Sequence, residues 1–218
     1  MTPVDVCSPS KLLIWRHFLE EPLCARLCAE ARRATRTPAQ VFKPGDSYRI
    51  DTDASVRKTA LAGVAVATRA LLQERLLTFK PTIEQHFHVT LGGCEPPQFL
   101  VYLAGDFFTP HYDSAGDTAP AALGYLTARQ VSVVLFLTRQ ADQAGSATYC
   151  GGALRFYEYG AYGVPVMGER RLQVTLSPHI VETVQGDTGM LVAFRTDVLH
   201  DVEVVTAGER YTIVSWFF

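Results

Sequence analysis

The chain has 218 residues and a mass of 24.0 kDa, enough for one domain with a sizeable core around a site. A composition of 48% hydrophobic and 19% charged residues excludes disorder as the main state. With 20 Lys and Arg against 22 Asp and Glu, the formal net charge of −2 leaves no global positive field to recruit nucleic acid or an anionic membrane.

No run approaches the roughly 18 apolar residues that a membrane span needs, and Met1 to Asp5 lacks the basic and apolar segments of a leader. The chain therefore reads as soluble, unexported and cytoplasmic. Cys7, Cys24, Cys28, Cys94 and Cys150 are odd in number and irregularly spaced, which fits reduced thiols better than a disulfide framework.

In chain order, Lys11 to Leu19 is a short apolar run, and Glu20-Glu21-Pro22 then places acids and a proline where a helix begins. Leu23, Cys24, Leu27 and Cys28 form the buried stripe of that helix, which ends near Thr35. Phe42 to Asp53, with Pro, Gly, Ser and Asp, reads as an exposed loop. A second helix is predicted over Arg57 to Thr78, with Leu61, Val64, Ala65, Thr68, Leu71, Leu72 and Leu76 facing inward.

The pattern changes near Glu95-Pro96-Pro97, from helix signals to strand signals. Strands are predicted at Gln98 to Leu103, Val131 to Thr138, Ala153 to Tyr159, Leu172 to Leu176, Met190 to Phe194, Val202 to Val205 and Tyr211 to Phe218. The fold class is α+β and mostly β: an antiparallel sandwich or barrel-like jelly roll with the N-terminal helices packed on one outer sheet face. A single domain over 1–218 is expected, with 1–96 as helical support and substrate loop and 97–218 as the jelly-roll core.

His111-Tyr112-Asp113 places an imidazole and a carboxylate two residues apart at a strand edge, hence on one face. His200 follows the apolar strand at Met190 to Phe194 and supplies a third candidate ligand. Two imidazoles and one carboxylate on one face of an octahedral metal leave open positions, as non-heme Fe(II) requires, although zinc accepts the same donors. Arg210 opens the last strand on a face shared with Thr212, Val214, Trp216 and Phe218, while Tyr211, Ile213, Ser215 and Phe217 take the other. A guanidinium inside a barrel needs an anionic partner, which a dicarboxylic co-substrate chelating the metal at its other end would be. The plainer alternative is an Arg facing water at a strand end.

The stretch from Gln98 through Tyr102 and Gly105 to His111-Tyr112-Asp113, the run Gly151-Gly152-Ala153-Leu154-Arg155-Phe156, and Val198 to Trp216 with His200, Gly208 and Arg210 resemble the prolyl 4-hydroxylase-like 2-oxoglutarate and Fe(II)-dependent oxygenases. The resemblance covers about 97–218. It implies a double-stranded β-helix of the cupin-like kind and an enzyme that hydroxylates an unactivated C–H bond with Fe(II), 2-oxoglutarate and O2, with ascorbate as an accessory. It further implies that His111, Asp113 and His200 ligate iron and that Arg210 pairs with the far carboxylate of 2-oxoglutarate. Tyr102 matches a tyrosine bonding that same carboxylate, and Leu154, Val202 and Trp216 match pocket-lining positions. Phe136 departs from the pattern, since some relatives carry a second 2-oxoglutarate-binding tyrosine there. Retention of Asp113 argues against the halogenating relatives.

The resemblance makes a prolyl residue in a peptide the first substrate expectation, with a free amino acid or natural-product intermediate as the alternative. Phe42 to Lys58, carrying Arg49 and Arg57 for a carboxylate or carbonyl, and a lid at Ser114 to Arg129 are the expected substrate walls. A noncatalytic jelly roll holding a structural metal, or a cupin-like dioxygenase without 2-oxoglutarate, are the competing readings. His86-Phe87-His88 has ligand-like spacing but no third ligand, so a structural or surface role is expected; His17 and His179 have no partners. Asp201 points opposite to His200, and Gly151-Gly152 permits a bend rather than cradling phosphate.

Overall fold

The computed structural model describes residues 12–43, 49–114, 124–165 and 172–218, with the side chains of 42–43, 49, 125, 160–165 and 172–176 outside that description. In chain order the first elements are β1 (Leu12–Trp15), α1 (Glu21–Arg33), β2 (Arg36–Pro38), β3 (Val41–Lys43), β4 (Arg49–Asp51), β5 (Arg57–Lys58), β6 (Ala60–Ala62) and α2 (Val66–Phe87). Then come β7 (Gln98–Tyr102), β8 (Phe107–His111), α3 (Gly124–Ala128), β9 (Val131–Phe136), β10 (Arg139–Gln140), β11 (Thr148–Gly151) and β12 (Leu154–Pro165). The remainder is β13 (Leu172–Val184), β14 (Leu191–Arg195), β15 (His200–Val202), β16 (Val205–Gly208) and β17 (Arg210–Phe217).

A seven-stranded sheet in the order β1-β14-β9-β17-β7-β6-β2 faces a five-stranded sheet in the order β13-β12-β15-β8-β5. Smaller sheets, β10-β11-β16 and β3-β4, sit beside them. This is the expected jelly roll, with apolar residues at alternate positions separating two cores. On the helix side, Phe99, Val101, Val133, Leu135, Leu191, Ala193, Tyr211, Ile213 and Phe217 cluster with the buried stripes of α1 and α2. On the other side, Leu100, Tyr102, Val134, Phe136, Val192 and Phe194 meet Leu154, Phe156 and Val202 of the smaller sheet. Because both faces of the main sheet are covered, its central strands are buried on both faces, and the few polar residues among them, Ser132, Arg210, Thr212 and Ser215, are buried too.

α1 begins with Pro22 in its first turn and buries Leu23, Cys24, Leu27 and Cys28, as its pattern predicts, together with Ala31. α2 differs from expectation. Arg57–Lys58 and Ala60–Ala62 are strands, paired with β8 and with β7 and β2, and the helix runs from Val66 to Phe87. Ladder bonds on both sides of β6 outweigh the modest helix preference of Ala and Leu. Thr59 adds a side-chain bond from Oγ1 to the Val101 carbonyl at 2.9 Å. Leu72 and Leu76 are buried as predicted, but Leu71 is exposed, and the buried stripe continues through Ile83 and Phe87. The helix also runs past its predicted end at Thr78, with Pro81 on its exposed face. Ala65 has no capping side chain of its own. Instead, Glu30 of α1 accepts hydrogen bonds from the Ala65 amide at 2.8 Å and from the Thr68 hydroxyl, closing the start of α2 across the helix pair.

The helical reading of the first 96 residues is likewise corrected: among the described residues, six strands precede residue 97. The apolar run at Lys11 to Leu19 contains β1, which pairs with β14 at the sheet edge. The loop expected at Phe42 to Asp53 contains β3 and β4, with 44–48 outside the described residues. β12 and β13 are much longer than expected, and the strand expected at Val202 to Val205 is divided between β15 and β16. Cys24, Cys28, Cys94 and Cys150 are unbridged, and Cys7 lies outside the described residues. No helix among the described residues is long and apolar enough to cross a membrane.

Gly189 joins the helical layer to the sheet. It has φ +77°, its carbonyl accepts from the Leu19 amide at 3.1 Å, and a Cβ there would overlap the Leu19 carbonyl oxygen. Gly189→Ala should therefore lower stability by about 3 kcal/mol, read from the midpoint of chemical denaturation. An unchanged midpoint would contradict this contact.

Candidate active site

The antiparallel pairing of β8 with β15 sets His111 directly opposite His200. Asp113 lies two residues beyond β8. Its Oδ1 is 3.6 Å from His111 Nε2 and its Oδ2 is 3.6 Å from His200 Nε2. The three possible ligand atoms lie within 4.8 Å of one another, and this is the one such His, Cys, Asp and Glu group among the described residues. Each ring is oriented from behind: His111 Nδ1 is 2.9 Å from the Thr109 carbonyl and His200 Nδ1 is 2.9 Å from the Val198 carbonyl. A carbonyl oxygen only accepts, so Nδ1 carries the proton and the lone pair of each Nε2 points to the shared centre.

Asp113 is fixed at several points. Its amide donates to the Thr196 carbonyl, its carbonyl accepts from Arg129 Nη1, and its Oδ2 accepts from the Ser132 hydroxyl at 2.6 Å. Burial alone would raise its carboxyl, but His200, His111 and the Ser132 hydrogen bond outweigh burial and hold it well below the ordinary carboxylate range. His200 moves down to about 4, driven first by burial and then by the neighbouring His111, against the upward pull of Asp113. Near neutrality the pair is thus an ionised carboxylate beside a neutral imidazole. That donor set fits a divalent cation with positions left open for other ligands.

The imidazoles are enclosed by aromatic rings. Phe108 stacks on His111 with centroids 3.5 Å apart, and Phe194 meets His200 edge-on at 4.5 Å. The Arg57 guanidinium lies over the outer face of Phe108 at 4.6 Å, donates Nη1 to the Gln40 carbonyl, and leaves a buried Nε without a partner. Asp201 points away from His200 into a bidentate pair with Arg155 at 2.9 and 2.6 Å, and it accepts from the Tyr157 hydroxyl. It holds β15 to β12 and is not a ligand.

A cavity of about 300 Å³ opens over this centre. Leu154, Val202, Trp216, Tyr102, Arg57 and Arg210 all line it. Arg210 is 1% exposed. Its Nη1 donates to Thr212 Oγ1 at 3.2 Å, while Nε and Nη2 are buried without partners. Those two groups form one edge of the guanidinium, the edge that holds a carboxylate through two parallel bonds. An unsatisfied buried cation is costly, so this edge fits an anionic group that enters with a ligand. The Tyr102 ring packs against the guanidinium, 4.9 Å from centroid to Cζ, and Phe136 does so at 5.1 Å.

Arg49 stands at the head of β4, with its side chain outside the described set. Of the expected lid, 115–123 lie outside the described residues, while Leu126 and Arg129 line the cavity. His86 and His88 sit at the end of α2 and do not line it. Sequence reasoning missed Ser132, Phe108 and the Arg129–Glu95 pair. Ser132 carried a signal, a lone hydroxyl in an apolar strand on the face shared with Val134 and Phe136. Arg129 carried none. It is buried against the Trp216 ring at 3.7 Å and pairs with Glu95 through two bonds, one of 2.7 Å, formed only by the folded loops.

The family model described as the 2OG-Fe(II) oxygenase superfamily matches residues 97–218. No curated protein matches the chain. Among solved structures, a Pseudomonas putida prolyl-4-hydroxylase aligns over 95% of this chain and 92% of its own, at 24% identity and a TM-score of 0.60. A Trichoplax adhaerens prolyl hydroxylase, in complex with a hypoxia inducible factor oxygen degradation domain peptide fragment, aligns over 96% and 84% at 18% identity and a TM-score of 0.60. A viral collagen prolyl hydroxylase from Paramecium Bursaria Chlorella virus-1, in a 2OG complex, aligns over 97% and 98% at 14% identity and a TM-score of 0.55. These three share the fold.

The lowered His200 has a consequence for the metal-free protein. The unfolded chain binds a proton near the ordinary value of 6.5, whereas the folded chain binds it only near 4. The contribution of this residue to stability is complete above 6.5 and declines as pH falls from 6.5 to 4. His200→Gln should flatten that decline in denaturation midpoints measured across the interval. Equal slopes for variant and wild type would refute the assignment.

Proposed function

The chain belongs to the 2OG-Fe(II) oxygenase superfamily, and from that premise we propose that it hydroxylates an unactivated C–H bond of a prolyl residue in a peptide. It is a 2-oxoglutarate-dependent dioxygenase whose cofactors are Fe(II), 2-oxoglutarate and O2. The observation that carries the reading of the site is one cavity holding both the convergent His111, Asp113 and His200 and the open edge of Arg210.

In this assignment the two Nε2 lone pairs and the Asp113 carboxylate hold the iron. Ser132 and the Thr109 and Val198 carbonyls keep those donors in their protonation states. Bound Fe(II) supplies the redox chemistry, in which O2 is reduced as 2-oxoglutarate is decarboxylated to succinate and CO2 and a substrate C–H becomes C–OH. Arg210 orients the co-substrate by its far carboxylate, and the charges of a divalent iron, one carboxylate, a keto-diacid and one guanidinium cancel in the buried site. Leu154, Val202 and Trp216 exclude water from the cavity wall.

The prolyl assignment is supported by the fold shared with prolyl hydroxylases, one of them bound to a peptide. A small carboxylate substrate, such as a free amino acid, is the second reading. It is favoured by Arg57, whose partnerless Nε places a cation at the cavity wall.

Incubation with Fe(II), 2-oxoglutarate and O2 should yield succinate together with a gain of one oxygen on substrate. Mass spectrometry of proline peptides and free amino acids offered in parallel distinguishes the two readings, and absence of succinate with every candidate sinks both. Arg210→Ala should weaken 2-oxoglutarate binding about 100-fold, since it removes a two-bond charged contact. Asp113→Ala should abolish turnover through loss of metal, measured as bound iron per chain.

A further inference from the structure

The open edge of Arg210 has a buried phenol as its neighbour. Tyr149, on β11, is 0% exposed, yet its hydroxyl has no hydrogen-bond partner. A phenol needs at least one partner to offset the loss of water, so an orphaned one in a fully buried position is as anomalous as the orphaned Nε and Nη2 of Arg210. The two anomalies are adjacent. At Gly152, φ +65°, the position of a Cβ would lie 3.1 Å from Arg210 Cδ and 3.2 Å from Tyr149 Cε2, so both side chains pass over the same glycine. At Gly186 a Cβ would overlap the Tyr149 hydroxyl and the edge of the Phe136 ring together. Phe136 in turn faces the Arg210 guanidinium at 5.1 Å. The hydroxyl is thus confined between the edge of Phe136, Gly186 and the guanidinium.

We infer that Tyr149 is a further specificity-determining residue of the co-substrate anchor, its hydroxyl donating to the carboxylate held by Nε and Nη2 of Arg210. A carboxylate has about four lone-pair positions, of which the guanidinium edge takes two, so an O–H donor beside that edge has an acceptor waiting. The interaction satisfies three buried donors with one ligand group. It also explains two glycines, since a side chain at 152 would collide with both partners and one at 186 would displace the hydroxyl. Burial raises the Tyr149 phenol and Arg210 pulls it down, with a net rise, so the phenol keeps its proton and can donate it.

This inference rests on the 2-oxoglutarate reading of the cavity, and its test separates the two. Ni(II)-loaded protein, which binds the co-substrate without turnover, is titrated calorimetrically with 2-oxoglutarate. Tyr149→Phe should weaken binding about tenfold, and KM for 2-oxoglutarate in the iron enzyme should rise equally with kcat unchanged. Removing a partnerless hydroxyl should leave the unliganded variant at least as stable as wild type. Phe136→Tyr added to Tyr149→Phe should recover part of the lost affinity, because the edge of that ring borders the space the Tyr149 hydroxyl leaves at Gly186. Equal affinity of Tyr149→Phe and wild type, a lowered unfolding midpoint without ligand, or no recovery in the double variant would each overturn the inference. A wild-type protein that binds no 2-oxoglutarate would overturn the reading beneath it as well.

Discussion

Everything at the site depends on the register that places His111 across from His200. Side chains alternate along a strand, so a slip of one residue between β8 and β15 would turn one imidazole out of the sandwich. Several contacts guard this register. The bidentate Arg155–Asp201 pair joins β15 to β12 on the far face, and Phe108 and Phe194 press on the rings from both sides. The convergence of the three donor groups is thus a product of sheet pairing.

The second constraint is the two-faced β17. One face gives Tyr211, Ile213 and Phe217 to the core beneath the helices, and the other gives Arg210, Thr212 and Trp216 to the cavity. The same strand therefore supports the fold and carries the buried guanidinium that lines the cavity. Burying the guanidinium costs stability that only an anionic ligand returns, so the strand is held in place mainly by its apolar face and by pairing with β7 and β9.

Legibility in the sequence followed the range of the forces involved. The alternation in β17 and the pairing of His111 with Asp113 are local, and both stood out. The buried stripe of α1 was equally plain, because Leu23, Cys24, Leu27 and Cys28 repeat at the helical period. Residues 57–62 read as helix and fold as strands because their conformation is set by β7 and β8, distant in the chain. The Arg129–Glu95 pair, Ser132 beneath Asp113 and Glu30 over the start of α2 are likewise contacts between segments with no shared local pattern. The family motifs bridged part of that gap by tying His200 and Arg210 to His111.

The central position of β17 also bears on how the chain reaches this state. It lies between β9 and β7, strands far earlier in the sequence, and β1 pairs with β14 across nearly the whole described chain. Such pairings demand closure of long loops before contacts compensate for it, which makes folding slow relative to proteins of local contacts. Without β17, the edges of β7 and β9 that it covers would have no partner strand. β17 fills the gap between them, so the strand that joins the two halves of the main sheet is also the one that brings Arg210 to the cavity.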